Sequence, residues 1–206
     1  MKILVLDTET LGLFNPSVYD LGYLIYDMTD GKIIVARDYI TREIYDNTKA
    51  MQTAYYYNKK PIYEQRLADG YCKKIAWRDV CRILKRDINK YKPDSIYAYN
   101  SRFDTRSISK TCETLRVKNP TPDGIRDIWK GLTDPHITQT EDYINFCKTN
   151  GFMTKHKKPR PQAKAETVYR FLTNQTDYQE QHTALEDSKI ELAILLKVFA
   201  LQTALV

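Results

Sequence analysis

Residues 2–10, KILVLDTET, decide the architecture. The unbroken apolar run 3–6, closed by the acid Asp7, reads as a buried central strand. Asp7 and Glu9 stand two apart at its end. Side chains alternate along an extended backbone, so both carboxylates point to one face. A D-x-E pair alone is common, and most such pairs are solvated. This one gains meaning from its place, because α/β folds put ligands at strand ends.

Working outward, YDLGYLIYD and KIIVARDYI flank the turn signal MTDG, which predicts a hairpin of two further strands. Residues 42–67 are polar, tyrosine-rich and helical in part, with Pro61 interrupting. In IAWRDVCRILKRDINKY, Ile75, Val80, Ile83, Leu84 and Ile88 fall at helical spacing, and Pro93 stops the helix. SIYAYN is a short strand and DTRSISKTCETLRV a helix. GIRDIWKGL reads as a fifth strand running into a helix, and TEDYINFCKTNG as a helix stopped by its glycine. After the basic, proline-broken loop TKHKKPRPQ, two helices close the chain, AKAETVYRFLTN and TALEDSKIELAILLKVFALQ. The order predicts a single α/β domain over residues 1–206, a central mixed five-stranded sheet flanked by helices.

Composition narrows the class. With 206 residues, 42% hydrophobic and 28% charged, the chain is an ordinary globular domain. No apolar run approaches a membrane span, and MKILVLDTE turns acidic too early for a signal peptide. Cys72, Cys81, Cys112 and Cys147 lie far apart without a C-x-x-C pair, which argues against zinc and against a secreted disulfide scaffold. A cytoplasmic protein without membrane contact is expected. The net charge of +6 beside sixteen tyrosines leans toward nucleic acid, since aromatic faces stack on bases and cations follow phosphates. The same charge also serves solubility alone.

Two more acids join the first pair. Asp104 follows the strand SIYAYN, and Asp187 lies on the first turn of the last helix. Four carboxylates from separate elements repel one another unless cations intervene. Two divalent cations, Mg2+ or Mn2+, prefer such oxygen ligands, and a pair can clamp both the attacking and the leaving oxygen in phosphoryl transfer. Thr183 and Glu186 fit an S/T-x-x-E capping box at the mouth of the last helix. His182 precedes that cap, so it sits on the entering loop, free to lean over the acids and to take a proton near neutral pH. His136 and His156 are read as surface residues.

DTET with Asp7 and Glu9, YNSRFD with Asn100, Phe103 and Asp104, and HTALED with His182, Ala184 and Asp187 together resemble the three exonuclease motifs of the DEDDh, or DnaQ-like, family. The likeness spans residues 3 to 200 and includes the motif order and the intervening hairpin. It implies an RNase H-like fold and a two-metal hydrolase that removes nucleoside 5′-monophosphates from a 3′ end. Asp7, Glu9, Asp104 and Asp187 would then ligate the metals, with Asp7 bridging them, and His182 would be the general base. Threonine at position 183 disfavours the sister branch that has tyrosine there. Glu9, with backbone amides near Thr8 and Thr10, would hold the terminal 3′-hydroxyl.

Two positions depart from the family pattern, Tyr99 where many relatives have histidine and Leu11 where threonine is common. Neither is a ligand position, so they bear on substrate preference. Leu11, Leu13 and Phe103 are candidates for apolar contact with terminal bases, although Leu13 and Phe103 also suit a core. Lys155, Lys157, Lys158 and Arg160 in the basic loop would track phosphates. AYYYNKK, residues 54–60, is either a stacking platform or a packed helix face. The expected activity is 3′→5′ exonucleolysis of single strands, DNA favoured, with a polymerase or other replication or repair protein as a separate partner. Trimming of RNA ends and a catalytically silent nucleic-acid-binding module are the alternatives. The apolar C-terminal stretch LLKVFALQTALV leaves a homodimer open.

Overall fold

A computed structural model describes residues 1–14, 16–121 and 124–203. Strand β1 (Lys2–Thr10) lies inside a sheet with β2 (Val18–Asp27), β3 (Lys32–Thr41), β4 (Lys73–Ile75), β5 (Ser95–Ala98) and β6 (Arg126–Asp127), in the order β4-β3-β2-β1-β5-β6. The β1, β2 and β3 strands form an antiparallel meander, whereas β4, β5 and β6 join as parallel neighbours, so the sheet is mixed as expected. It has six strands rather than five. The additional one is β4, and it takes Ile75 out of the predicted helix, which begins instead at Trp77.

Helices cover both faces. After three short ones, α1 (Arg42–Tyr45), α2 (Thr48–Met51) and α3 (Lys60–Ala68), come α4 (Trp77–Tyr91) and α5 (Ser101–Thr114). A π-helical segment, Trp129–Thr138, leads into α6 (Glu141–Thr149), α7 (Ala165–Thr173) and the long α8 (Ala184–Thr203). The alternation of β1 sorts the core. Leu4 and Leu6 pack with Trp77, Leu84, Ile108 and Cys112 of α4 and α5. Ile3 and Val5 pack with Val168, Ile190, Ile194 and Leu195 of α7 and α8. Asp7 and Glu9 continue the odd-numbered series, which aims them toward the start of α8.

That helix start lies against the sheet at one point. Gly22 of β2, opposite Asp7 in the register, would with any Cβ come within 2.1 Å of the Leu185 amide nitrogen. A glycine inside a strand commonly marks such an approach of backbone to backbone. No helix among the described residues is long and apolar enough to cross a membrane. The last three residues of LLKVFALQTALV, 204–206, lie outside the described residues.

Candidate active site

The end of β1, the first turn of α5 and the entry to α8 converge. Thr8 donates its hydroxyl to Asp104 Oδ1 at 2.8 Å, tying β1 to α5. Glu9, His182 and Asp187 each bring one ligand atom into a group whose members lie within 4.8 Å of one another. Asp7 is coupled by charge to both sets: burial raises its pKa well above the ordinary carboxylate value, the charges of Asp104 and Glu180 raise it further, and its own charge raises Glu9 and Asp187. Burial likewise pushes Asp104 up to about 7 and, with the charge of Asp7, Asp187 up to about 9. Glu9 is raised well above its usual value by burial and then by Asp7 and Asp187. These acids share one low-dielectric space in which full ionisation is costly.

Two acids beyond the sequence motifs belong to the same cluster. Glu191 is 3% exposed, and burial followed by the charges of Asp7 and Asp104 raises its pKa well above the usual range. Its spacing of four from Asp187 puts both on one helix face, a signal the sequence contains. Glu180 is pushed up to about 7, chiefly by burial and then by Glu166, and its Oε2 lies 3.7 Å from His182 Nδ1. Asp187 Oδ1 and Glu191 Oε2 are buried without hydrogen-bond partners. Orphaned acceptors in an acid-rich cleft fit hard divalent cations, which take oxygen ligands.

His182 is held from three directions. Its φ of 54° is left-handed, which costs a non-glycine residue strain and is tolerated where surroundings impose it. Tyr63 donates its hydroxyl to the His182 carbonyl at 3.1 Å, and the Tyr56 ring stacks on the imidazole with centroids 4.3 Å apart. His182 Nδ1 lies 4.0 Å from Asp187 Oδ2. Burial, then Lys59, lowers the His182 pKa below its ordinary value, so the imidazole is neutral at physiological pH. Sequence marked Tyr56 only as part of the AYYYNKK stacking or packing candidate and gave Tyr63 no role, because only the tertiary fold brings residues 56 and 63 to 182.

The predicted capping box does not form. The Thr183 carbonyl accepts the first helical bond from the Asp187 amide, but its hydroxyl is buried without a partner. Asp20 of β2 caps α8 instead, accepting from the Ala184 amide at 2.9 Å, while Glu186 turns outward to Lys189 at 2.8 Å. The cap therefore comes from the sheet, and it fixes the helix start to the strand beside β1.

The candidate substrate residues separate into groups. Thr8 and Thr10 are buried in β1. Leu11, 4% exposed, packs with Tyr19, Ile40 and Tyr63, so its side chain faces the core rather than a cleft. Leu13 is 69% exposed. Arg106 joins it to Phe103, donating to the Leu13 carbonyl at 2.9 Å with its guanidinium over the Phe103 ring. Asn100, in left-handed conformation at the start of α5, borders two clefts. One of about 720 Å3 is walled by Tyr99 and Trp129, whose rings are near-parallel, and by Lys157, Lys158 and Arg160. Lys155 is exposed outside that wall. The basic loop is a narrow hairpin, bridged at Met153 and Pro161, and the Tyr99 hydroxyl donates to the Ala163 carbonyl at 2.8 Å just beyond it.

No protein-family model matches the sequence, and no curated protein does. Solved structures match it. The nuclease domain of 3′hExo, a DEDDh family member, bound to rAMP, superposes with a TM-score of 0.58 at 15% identity, over 97% of this chain and 92% of that one. A full-length 3′-exonuclease superposes with a TM-score of 0.59 at 16% identity, over 98% of this chain and 61% of that one. A 3′-exonuclease in specific recognition of the 3′ end of a histone mRNA stem-loop gives a TM-score of 0.61 at 15% identity, over 95% of this chain and 62% of that one. This chain thus spans about six-tenths of the length of the latter two. A likeness at this identity establishes architecture: the chain has the RNase H-like fold found in DEDDh 3′-exonuclease domains.

Proposed function

We propose that this protein is a 3′→5′ exonuclease dependent on two divalent cations, Mg2+ or Mn2+, held by Asp7, Glu9, Asp104 and Asp187. The observation that carries the reading is the convergence of Glu9, His182 and Asp187, with Asp7 and Asp104 coupled to this group by charge and Asp187 Oδ1 left unpartnered. Cations bound there would offset the carboxylate charge and the charge developing on the phosphoryl oxygens. His182 accepts a proton from the attacking water. The water oxygen bonds to phosphorus as the bond to the preceding 3′-oxygen breaks, leaving a new 3′-hydroxyl and a nucleoside 5′-monophosphate. Asp104 is held by the Thr8 hydroxyl, and Tyr56 and Tyr63 hold His182, so little rearrangement is needed at the moment of reaction. Glu9 and the amides near Thr8 and Thr10 receive the 3′-hydroxyl, with Leu13 and Phe103 against the terminal bases. Lys157, Lys158 and Arg160 follow phosphates through the cleft that Tyr99 and Trp129 wall, with Lys155 at its outer edge.

DNA is the first substrate of this reading, with a polymerase or a replication or repair protein as partner. RNA is the second, favoured by structural neighbours described with rAMP and with a histone mRNA stem-loop. Digestion of 5′-labelled single-stranded DNA and RNA of matched sequence, with Mg2+, with Mn2+ and with chelator, tests both. A cation-dependent ladder shortening from the 3′ end, absent in Asp187→Asn, is expected, and the faster substrate decides the nucleic acid. Binding without shortening of either strand would refute the enzyme and leave a silent binding module.

A further inference from the structure

Across the sheet from α8, helix α4 and the segment after α5, residues 116–120, line a second groove, of about 460 Å3. Five cations line it. Arg78, Arg82 and Lys85 recur at i, i+4 and i+7, which sets them along one face of α4. Arg116 and Lys118 face them from the segment after α5. That segment is fixed, not loose. The Val117 amide donates to the Cys112 carbonyl at 2.8 Å, and Asn119 donates to the Ser109 hydroxyl at 3.1 Å. Of the five, only Arg82 meets a carboxylate among the described residues, Asp79 at 3.1 Å. The groove therefore concentrates uncompensated positive charge.

Helix α5 joins this groove to the candidate active site. Asp104 is on the first turn of α5, whose last residue, Thr114, lies about 15 Å further along the axis, and Arg116 follows just beyond that end. Arg106, between them, and Arg102, two residues before Asp104, line the cleft that also holds Phe103. We infer that the α4 groove is a second nucleic-acid contact, which grips phosphates in the body of the polynucleotide whose 3′ end lies at Asp104. The identity of that strand rests on the exonuclease reading. A span of about 15 Å corresponds to roughly four nucleotide steps at 3.4 Å per step. A membrane surface fits less well, because no large exposed hydrophobic side chain lies on α4, on α5 or on residues 116–120.

The test compares an oligonucleotide of about 3 residues with one of about 20, on either side of that span. The variant carries Arg78→Gln, Lys85→Gln, Arg116→Gln and Lys118→Gln together. A charge-matched control carries Lys32→Gln, Lys73→Gln, Lys148→Gln and Lys197→Gln, all at exposed positions elsewhere. Affinity is read by fluorescence anisotropy in chelator, where nothing is cut, so the groove is judged separately from the exonuclease. The groove variant should bind the long strand roughly tenfold or more weakly and lower the salt slope by about 3, near 0.7 per lost phosphate contact. Binding of the short strand, and kcat with cation, should not change. An unaltered long-strand affinity, an equal loss on both lengths, or the same loss in the control would overturn the proposal. Absence of trimming by the wild-type protein with cation would instead remove the exonuclease reading and leave the anisotropy result standing.

Discussion

Replacing Gly22 with alanine tests whether the sheet sets the position of α8, the helix that carries Asp187. The new Cβ would lie 2.1 Å from the Leu185 amide nitrogen, 2.3 Å from the Ala184 carbonyl carbon and 2.4 Å from the Leu185 Cα, all backbone atoms. Restoring the nitrogen contact to the 3.4 Å of ordinary van der Waals contact displaces the start of α8 by about 1.3 Å. That shift strains the Asp20 cap on Ala184 and the Ser188 hydroxyl bond to the Gly22 carbonyl, 2.9 and 3.2 Å long. Overpacking of this kind costs about 1–3 kcal/mol. At this chain length that is a fall in Tm of roughly 2–12 °C. Because Asp187 and His182 ride on the displaced turn, kcat should fall roughly 100-fold, the usual loss for a misplacement near 1 Å. Thermal unfolding and single-turnover trimming read the two effects. Gly131→Ala, with no atom within 4 Å of its Cβ, is the control and should melt like wild type. A Gly22→Ala protein with wild-type Tm and rate would refute this coupling.

Other perturbations probe the site and its scaffold. His182→Ala should lower the trimming rate roughly 10²–10⁴-fold while cation binding, read by the rise in Tm on adding Mn2+, persists. Tyr56→Ala should lower kcat about tenfold by freeing the imidazole, and Tyr56→Phe should restore it, because the ring rather than the hydroxyl makes the stack; equal loss in both would refute the stacking role. In chelator, acids whose folded pKa is raised bind more protons than the unfolded chain. Stability should therefore fall as pH rises from about 4 through the values near 7 and 9 of Asp104 and Asp187, and saturating Mg2+ should flatten that slope in a Tm-against-pH series. At Asp87 burial pushes the pKa up, but hydrogen bonds from Tyr23, Arg86 and Arg37 outweigh it and hold the group below its usual value. Its stabilisation is present above the ordinary carboxylate range and lost as pH falls through the lowered value. Asp87→Asn should cost about 1–3 kcal/mol at neutral pH by denaturant titration, with the gap to wild type closing below about pH 4.

The residues readable from sequence alone are those whose signal is local. The apolar run of β1 and the alternation that pairs Asp7 with Glu9 need only neighbours in the chain, and the structure places both as expected. Strand β4 left no such trace, because its three residues are exposed or half-buried and carry a single apolar side chain. The Thr183–Glu186 motif misled for the opposite reason. Its local pattern was complete, but a carboxylate from β2, remote in sequence, reached the helix amide first. Glu191 was legible through its spacing from Asp187, whereas Tyr56, Tyr63 and Gly22 act only through contacts that the tertiary fold creates.

This division has a physical consequence for how the site is maintained. Clustered buried acids and a left-handed His182 both disfavour the folded state. Neither strain is offset by the motif residues themselves. The offset comes from residues outside the motifs: the Asp20 cap, the close approach at Gly22, the Tyr63 hydroxyl and the Tyr56 ring. All four lie on β2 or on the tyrosine-rich segment that includes α3, elements that contribute no proposed ligand. Under the exonuclease reading, the β2–β3 hairpin and the tyrosine-rich segment therefore support the site as much as its motifs do. Substitutions there should lower activity without changing any motif residue.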